Sequence, residues 1–299
     1  MWENYIDSFK TFLLVEKSLA TNSVDAYLLD IAKLQQYLAL TGGDVSPVQV
    51  NTNHIRKFLE YIQELNVSER SQARIISGIR AFYRFLAYED LIEADPMEII
   101  DTPRIPRTLP DILSIEEIDK IIECIDLSKN EGHRNRAIIE TLYGCGLRVT
   151  ELLELKISNL HFEEEYILVQ GKGQKQRIVP ISKKAIQEIQ MYFSGMRNHL
   201  KVNEMYLDYV FLNRRGSKLT RMFIFMIIKE LTATVGINKV VSPHTFRHTF
   251  ASHLIEGGAD LRAVQEMLGH ESITTTEIYT HLNSKFLQET IKLYHPRGN

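Results

Sequence analysis

The segment 242–281 combines groups that bind phosphate with a group that can attack it. His244, Arg247, His270 and Tyr279 lie within 36 consecutive positions. Arginine suits a phosphate because its planar, permanently charged guanidinium donates to two oxygens at once. A phenol titrates near about pH 10, so a tyrosine attacks well only when a base or a positive field assists it. These residue types in one short segment predict phosphoryl transfer.

Two further cationic side chains lie upstream of this segment. Arg148 stands in GCGLRVTELLEL, and Glu151 follows three residues later, on the same face of a helix, where its carboxylate can hold the guanidinium. Such a pair is also common as a surface salt bridge. Lys172 lies in GKGQK, where an exposed turn lysine is ordinarily only solvated. Neither residue defines a site alone.

The histidines leave a metal site as an alternative. His244 and His248 are four residues apart, and His253 lies further along the same predicted helix. A hydrolytic zinc helix carries glutamate directly after the first histidine, whereas this chain has Thr245. Because no outlying carboxylate or cysteine completes a ligand set, we predict no metal and no cofactor. His248 and His253 are expected to pack or to form hydrogen bonds.

Helices are predicted to carry the first hundred residues. Apolar residues recur at helical spacing after the polar cap 21–23, and again in predicted helices from about 53 to 65 and from 68 to 87. The segment 101–110, DTPRIPRTLP, holds three prolines and is predicted to be a basic linker.

The second half of the chain is predicted to hold the chemistry. A capping box at Ser114 opens one helix, and another runs from about 134 to 142 and stops at Gly144. The extended segments 166–170 and 177–181 flank a glycine-containing turn and predict a β-hairpin. The pair Ser242-Pro243 is typical of a helix start, which would place His244 and Arg247 near a helix N-terminus, a favourable position for phosphate.

Composition fits a reduced intracellular protein with two domains. The chain has 299 residues, 44% of them hydrophobic, and its two cysteines form no paired motif. A net charge of −3 argues weakly against nucleic acid. Residues 171–248, however, carry 14 Lys/Arg against 4 Asp/Glu. This local excess favours phosphate contact over the average charge, although a solvated basic face would look the same.

Taken together, six residues resemble in order and spacing the active-site series of the tyrosine recombinases of the phage integrase family: Arg148, Lys172, His244, Arg247, His270 and Tyr279. The resemblance implies a mainly α fold with a small β-hairpin or sheet. It comprises a helical DNA-binding domain (1–103), the linker (104–110) and a mixed α/β catalytic domain (111–299), whose last helix (284–294) is exchanged between protomers.

The resemblance also implies a role for each of these residues. Tyr279 is the nucleophile, Lys172 protonates the 5′ oxygen that leaves, His244 manages the tyrosine proton, and both arginines and His270 bind the phosphate. Glu151 supports Arg148 from behind. Residues expected to face DNA are Thr21, Asn22, Ser23, Tyr27, Arg74, Ser77, Arg80, Arg104, Lys175 and Arg177.

The expected partners follow from the same resemblance. They are double-stranded DNA at a specific recombination site, a second recombinase in a homo- or heterotetramer, and an FtsK-like DNA translocase, all in the cytoplasm and with no membrane contact. The ending His295-Pro296-Arg297 favours the branch of the family that resolves chromosome dimers at cell division. Alternative functions are an integrase or invertase of a mobile element, a type IB topoisomerase, and a DNA-binding protein without activity. The alternative to exchange of the last helix is that this helix packs on its own domain.

Overall fold

The computed structural model describes residues 2–43, 45–103, 111–171, 176–269 and 282–298, the last range with side chains from residue 285. Its chain divides into two compact units, Met1–Thr108 and Leu109–Asn299. None of the helices in these ranges is long and apolar enough to cross a bilayer.

The first unit is helical within its described residues. Its helices are α1 (Trp2–Val15), α2 (Thr21–Thr41), α3 (Thr52–Glu64) and α4 (Glu69–Tyr88). Side-chain caps start two of them, because Asn51 and Ser68 each accept a backbone N–H of the first turn of α3 and α4. The core is rich in aromatic rings, with Phe9 set edge-on to Phe82 at 5.4 Å.

The described residues of the second unit form helices and one three-stranded sheet. The helices are α5 (Ile115–Glu123), α6 (Gly132–Cys145), α7 (Val149–Leu153), α8 (Lys183–Ser194), α9 (Arg221–Thr234), α10 (Pro243–Gly257), α11 (Leu261–Leu268) and α12 (Leu282–Tyr294). The strands are β1 (Leu160–His161), β2 (Tyr166–Gln170) and β3 (Gln176–Pro180), antiparallel in the order β1-β2-β3. The predicted hairpin is confirmed as β2 and β3, whereas the two-residue β1 was not predicted.

Helix α6 runs past the glycine at which it was predicted to stop. Gly144 is helical and lies close to the Ser182 hydroxyl, 3.0 Å from where a Cβ would stand, so it serves close packing against α8. Gly146 ends the helix instead, with φ 58° in the left-handed region that favours glycine. Arg148 is the second residue after it.

Helix α12 packs on its own domain in this single chain. Leu287 and Ile291 are buried among apolar residues of α10 and α11. The chain end is held as well, because the Arg297 guanidinium pairs with Asp119 and lies 3.4 Å from the Glu140 carboxylate. This is the alternative that the sequence left open.

Candidate active site

Three arginines from different parts of the chain meet around one buried glutamate. Glu151, on α7, accepts the backbone N–H of Arg148 at 2.8 Å and its guanidinium at 2.8 Å. Arg177, at the start of β3, donates twice to the same carboxylate, at 2.7 and 2.9 Å. The Arg247 guanidinium lies 3.7 Å from it. The predicted Arg148–Glu151 contact therefore exists, but it is one part of a larger cluster.

The turn at Gly146 sets the positions of Arg148 and Arg247 together. Arg148 is the residue that precedes α7, so its backbone N–H is free to be capped by Glu151 in the first turn. The carbonyl of Gly146 accepts a hydrogen bond from the Arg247 guanidinium at 2.7 Å. A side chain at position 146 would strike the Phe250 ring, at 2.4 Å from its Cδ1. Glycine is thus needed here for both conformation and space.

Arg247 lies on the first turns of α10, which begins as predicted at Pro243 behind the Ser242 cap. Its residue is only 8% exposed. Burial lowers the pKa of its guanidinium to about 10, and the positive charges of Arg148 and Arg177 act in the same direction. A bound anion would favour the charged form of this side chain, so the geometry suits a phosphate.

The C-terminal end of α11 also belongs to the cluster. Three consecutive backbone carbonyls each accept from a different arginine: Met267 from Arg177, Leu268 from Arg247 and Gly269 from Arg148. A helix leaves its last carbonyls without intrahelical partners, and cations are favourable at that end. The last of these carbonyls belongs to Gly269, so the arginines hold the end of α11 in place.

Positive charge exceeds negative charge in the cluster. Burial by itself raises the pKa of the Glu151 carboxyl, but hydrogen bonds and charge from Arg177, with further bonds from Arg148, hold that pKa below its usual range. One ionised carboxylate therefore faces three guanidiniums, and two formal positive charges remain. The Arg148 side chain is 36% exposed, so part of that charge is open to solvent.

The other predicted catalytic residues are placed only in part. His244 is exposed in the first turn of α10, one turn before Arg247. Lys172, His270 and Tyr279 lie outside the described residues, as do the predicted DNA contacts Arg104 and Lys175.

The remaining histidines of α10 differ from each other. His253 forms a buried hydrogen bond of 2.8 Å between its Nδ1 and the Tyr143 hydroxyl, which confirms the hydrogen-bonding role predicted for it. His248 is exposed.

Arg177 was predicted to contact DNA, and the structure turns it inward instead. Its side chain is 15% exposed, and among the described residues it donates to both oxygens of Glu151 and to the Met267 carbonyl. Strand alternation carried a signal for this, because Arg177 shares a strand face with the buried Val179. The carbonyl acceptors at the end of α11 had no signal in residue types, since any residue supplies a carbonyl.

The predicted DNA-facing residues of the first unit lie on α2 and α4. Thr21, Asn22 and Ser23 are exposed in the first turn of α2, and Tyr27 is half-buried against Phe9.

On α4, two predicted DNA contacts are exposed and a third is half-buried. Ser77 is exposed and donates to the Ala73 carbonyl. Arg80, half-buried, donates to Ile100 and Thr102, so part of its capacity serves the domain itself.

Arg74, also exposed, has a distinct support. Its guanidinium donates at 2.6 Å to Asp30, a residue of α2 that is only 1% exposed and that also accepts from Lys33 at 3.1 Å. Gly78 makes room for this carboxylate, because a Cβ there would lie 2.9 Å from Asp30. Asp30 thus holds two cations at one surface, a contact that the sequence did not indicate.

Comparison with known proteins identifies both units. A family model described as the phage integrase family matches residues 112–285, and one described as the phage integrase N-terminal SAM-like domain matches residues 6–90. The tyrosine recombinase XerD of Listeria innocua serovar 6a is 40% identical, over 98% of this chain and 99% of its own. Proteins of the same name from Chlorobaculum tepidum and Staphylococcus haemolyticus are 40% and 38% identical, over 99% of this chain and 98% and 100% of their own.

Solved structures share the fold. XerH recombinase bound to a palindromic difH substrate, a post-cleavage complex, has a TM-score of 0.70 at 24% identity, over 93% of this chain and 81% of that one. The Tn1549 transposon integrase in complex with circular intermediate DNA has a TM-score of 0.66 at 18% identity, over 95% and 98%. With a matching catalytic domain, a matching N-terminal domain and relatives alike along the whole chain, this protein is a member of the phage integrase family of tyrosine recombinases.

Proposed function

We propose that this protein is a site-specific tyrosine recombinase that cuts and rejoins duplex DNA through a covalent 3′-phosphotyrosine. The observation that carries the proposal is the arginine cluster, in which three guanidiniums share the Glu151 carboxylate and leave positive charge for an anion. Membership of the family and the name shared by the relatives support DNA as that anion.

In the proposed reaction, the Tyr279 oxygen attacks the scissile phosphorus while the bond to the 5′ oxygen breaks. The tyrosine proton passes to His244, and Lys172 gives a proton to the departing 5′ oxygen. The free 5′ hydroxyl of the partner strand then attacks the phosphotyrosine and gives up its proton, while the bond between phosphorus and the Tyr279 oxygen breaks and the phenol regains a proton. This restores a phosphodiester on a new duplex. Because one phosphoester replaces another at each step, the reaction needs no ATP.

The arginines supply electrostatic stabilisation in this scheme. Charge builds on the nonbridging oxygens as the phosphorus becomes five-coordinate, and fixed donors aimed at those oxygens lower the barrier. Arg148 presents its exposed part to the substrate, while the buried Arg247 is held by Gly146 and Leu268. His270 completes the proposed donors on the nonbridging oxygens.

The proposed biological role is resolution of chromosome dimers at cell division. The support is the name XerD, carried by relatives that match this chain along almost its whole length. The proposal includes a specific duplex site, a tetramer formed with identical or related recombinases, and activation by an FtsK-like translocase in the cytoplasm. In the tetramer, α12 would leave its own domain and dock on a neighbour.

The test is to recover DNA that becomes covalently attached to the protein in cells, without a chemical crosslinker, and to map the attached ends. We expect adducts at one chromosomal locus, with the protein on the 3′ phosphate. Tyr279→Phe should abolish the adduct and leave site binding nearly unchanged, because only the nucleophilic oxygen is lost. Tyr206→Phe, which removes a hydroxyl from a half-buried tyrosine elsewhere in the domain, is the matched control and should retain the adduct.

Other outcomes separate the alternatives. Adducts at the boundaries of a mobile element would indicate an integrase, and adducts scattered along the genome would indicate a topoisomerase. An adduct that persists in Tyr279→Phe would contradict the assignment of the nucleophile. Absence of any adduct with purified protein, its partner recombinase and its DNA site would contradict the proposed chemistry.

A further inference from the structure

Arg177 occupies a central place in the cluster without belonging to the six residues of the family resemblance. Its Nε donates to the Met267 carbonyl at 2.9 Å, and its two terminal nitrogens donate to the two oxygens of Glu151 at 2.7 and 2.9 Å. This is a side-by-side guanidinium–carboxylate pair, the geometry that best fixes both groups. Its side chain is too little exposed to serve mainly as a surface cation.

The carboxylate that Arg177 fixes is the one that orients Arg148. Glu151 accepts the Arg148 guanidinium on one oxygen and the Arg148 backbone N–H on the other. Rotation of this carboxylate would therefore move both contacts at once. With Arg177 removed, the two oxygens would be shared between Arg148 and Arg247, and each shared bond would withdraw charge from an incoming phosphate.

The second contact of Arg177 fixes the end of α11. Met267, Leu268 and Gly269 offer consecutive carbonyls to the three arginines, with the Arg177 bond as the first of the series. Gly269 packs on the Arg177 stem, since a Cβ there would stand 3.0 Å from Arg177 Cδ. One side chain thus ties β3, α7 and α11 together where the acceptors of Arg148 and Arg247 are located.

We propose that Arg177 is a positioning residue for strand cleavage. It acts by holding the Glu151 carboxylate and the α11 terminus in the arrangement that aims Arg148 and Arg247 at the scissile phosphate. The inference rests on the proposed function, because it assumes that these two arginines neutralise charge on a phosphodiester.

The experiment compares single-turnover cleavage of two DNA substrates, one with the natural scissile phosphate and one with a methylphosphonate, which lacks the negative charge, at that position. Arg177→Gln should slow cleavage of the phosphodiester by roughly 10²-fold, the cost of a small misplacement of a catalytic group. Cleavage of the methylphosphonate should fall much less, because that substrate needs less positive charge. A general loss of structure would slow both substrates equally.

The matched control is Arg136→Gln. Arg136 is also a partly buried arginine paired with a buried glutamate in the same unit, Glu188 at 3.1 Å, but it lies outside the cluster. It should leave the ratio of the two cleavage rates unchanged.

If Arg177→Gln does not fold, Arg177→Lys carries the test. Lysine keeps the charge but loses the paired geometry, so the same selective defect on the phosphodiester is expected, in a smaller degree.

Three outcomes would overturn the positioning role, and a different one would overturn the proposed function. Equal slowing of both substrates, or a wild-type rate in Arg177→Gln, would overturn the positioning role. Rescue of the variant by a sulfur-bridged 5′ leaving group would also overturn it, because that result would place the defect at Lys172. A failure of the proposed function would be distinct: the wild-type protein itself would form no covalent adduct.

Discussion

Substitution of Gly146 by alanine should disturb the site through the Phe250 ring. Gly146 has φ 58°, and the left-handed conformation costs a residue with a Cβ about 1–2 kcal/mol. The new Cβ would also stand 2.4 Å from Phe250 Cδ1 and 2.8 Å from Cε1, which is closer than two non-bonded carbon atoms can approach. Overpacking of this kind costs about 1–3 kcal/mol. We therefore expect a total loss of about 2–5 kcal/mol in the free energy of unfolding.

The chain offers a control that separates these two costs. Gly236 has φ 71°, also left-handed, but a Cβ there would meet nothing within 4 Å. Gly236→Ala should therefore show the conformational cost alone. The difference between the two variants, measured by urea unfolding followed by circular dichroism, should be about 1–3 kcal/mol in favour of Gly236→Ala. In a Phe250→Leu background, Gly146→Ala should cost less, because the ring that it strikes is gone.

The rates of DNA cleavage should differ between Gly146→Ala and Gly236→Ala in the same direction as their stabilities. The Gly146 carbonyl holds Arg247, and Phe250 lies one helical turn after Arg247 on α10, so displacement of the ring moves the arginine as well. Gly146→Ala should slow cleavage by roughly 10²-fold at a temperature where it is folded, whereas Gly236→Ala should cleave at the wild-type rate. Equal stability and equal rates in the two variants would refute the reasoning, since Phe250 would then yield without cost.

Three further results are expected. Burial lowers the pKa of His295 to about 3, with the charges of His253 and Arg297 acting in the same direction. Below about pH 6.5 the unfolded chain therefore takes up a proton on His295, whereas the folded chain does not. The free energy of unfolding should for this reason be about 2 kcal/mol lower at pH 5 than above about pH 6.5. In urea unfolding, His295→Asn should lack this part of the pH dependence. A pH dependence equal to that of the wild-type protein would contradict the role given to His295. Asp30→Asn should weaken DNA binding at low salt by releasing Arg74, with no added effect in an Arg74→Gln background; additive losses in a binding titration would argue against that link. Lys172→Ala should lose cleavage on ordinary DNA and regain it on a substrate with a sulfur-bridged 5′ leaving group, because thiolate needs no proton; continued inactivity would point to a structural role.

Local signals in the sequence were sufficient to predict much of the fold. The start of α10 at Ser242-Pro243 and the β2–β3 hairpin depend on capping and strand alternation, which act over a few residues. The Arg148–Glu151 contact likewise follows from a spacing of three residues. Each of these predictions needed only neighbours in the chain.

Contacts between distant segments were not predictable in the same way. Arg177 meets Glu151 across 26 residues and Met267 across 90, and nothing in their types distinguishes them from other charged or apolar residues. The end of α6 was misplaced for a related reason. Its glycine indicates a helix stop from sequence alone, but Gly144 leaves room for Ser182, the cap of α8, and only the fold brings the two together.

The acceptors at the end of α11 have a consequence for how the protein tolerates mutation. Because Met267 and Leu268 hold their arginines through main-chain oxygens, replacing either side chain leaves the acceptor in place. Both residues are buried, so the constraint on them is volume and not chemical identity. In a library that varies 267–269, active clones should carry diverse aliphatic residues at the first two positions and almost only glycine at the third. Arg148, Arg177 and Arg247 bond through their own guanidiniums, so substitutions at these three positions should not be tolerated in this way.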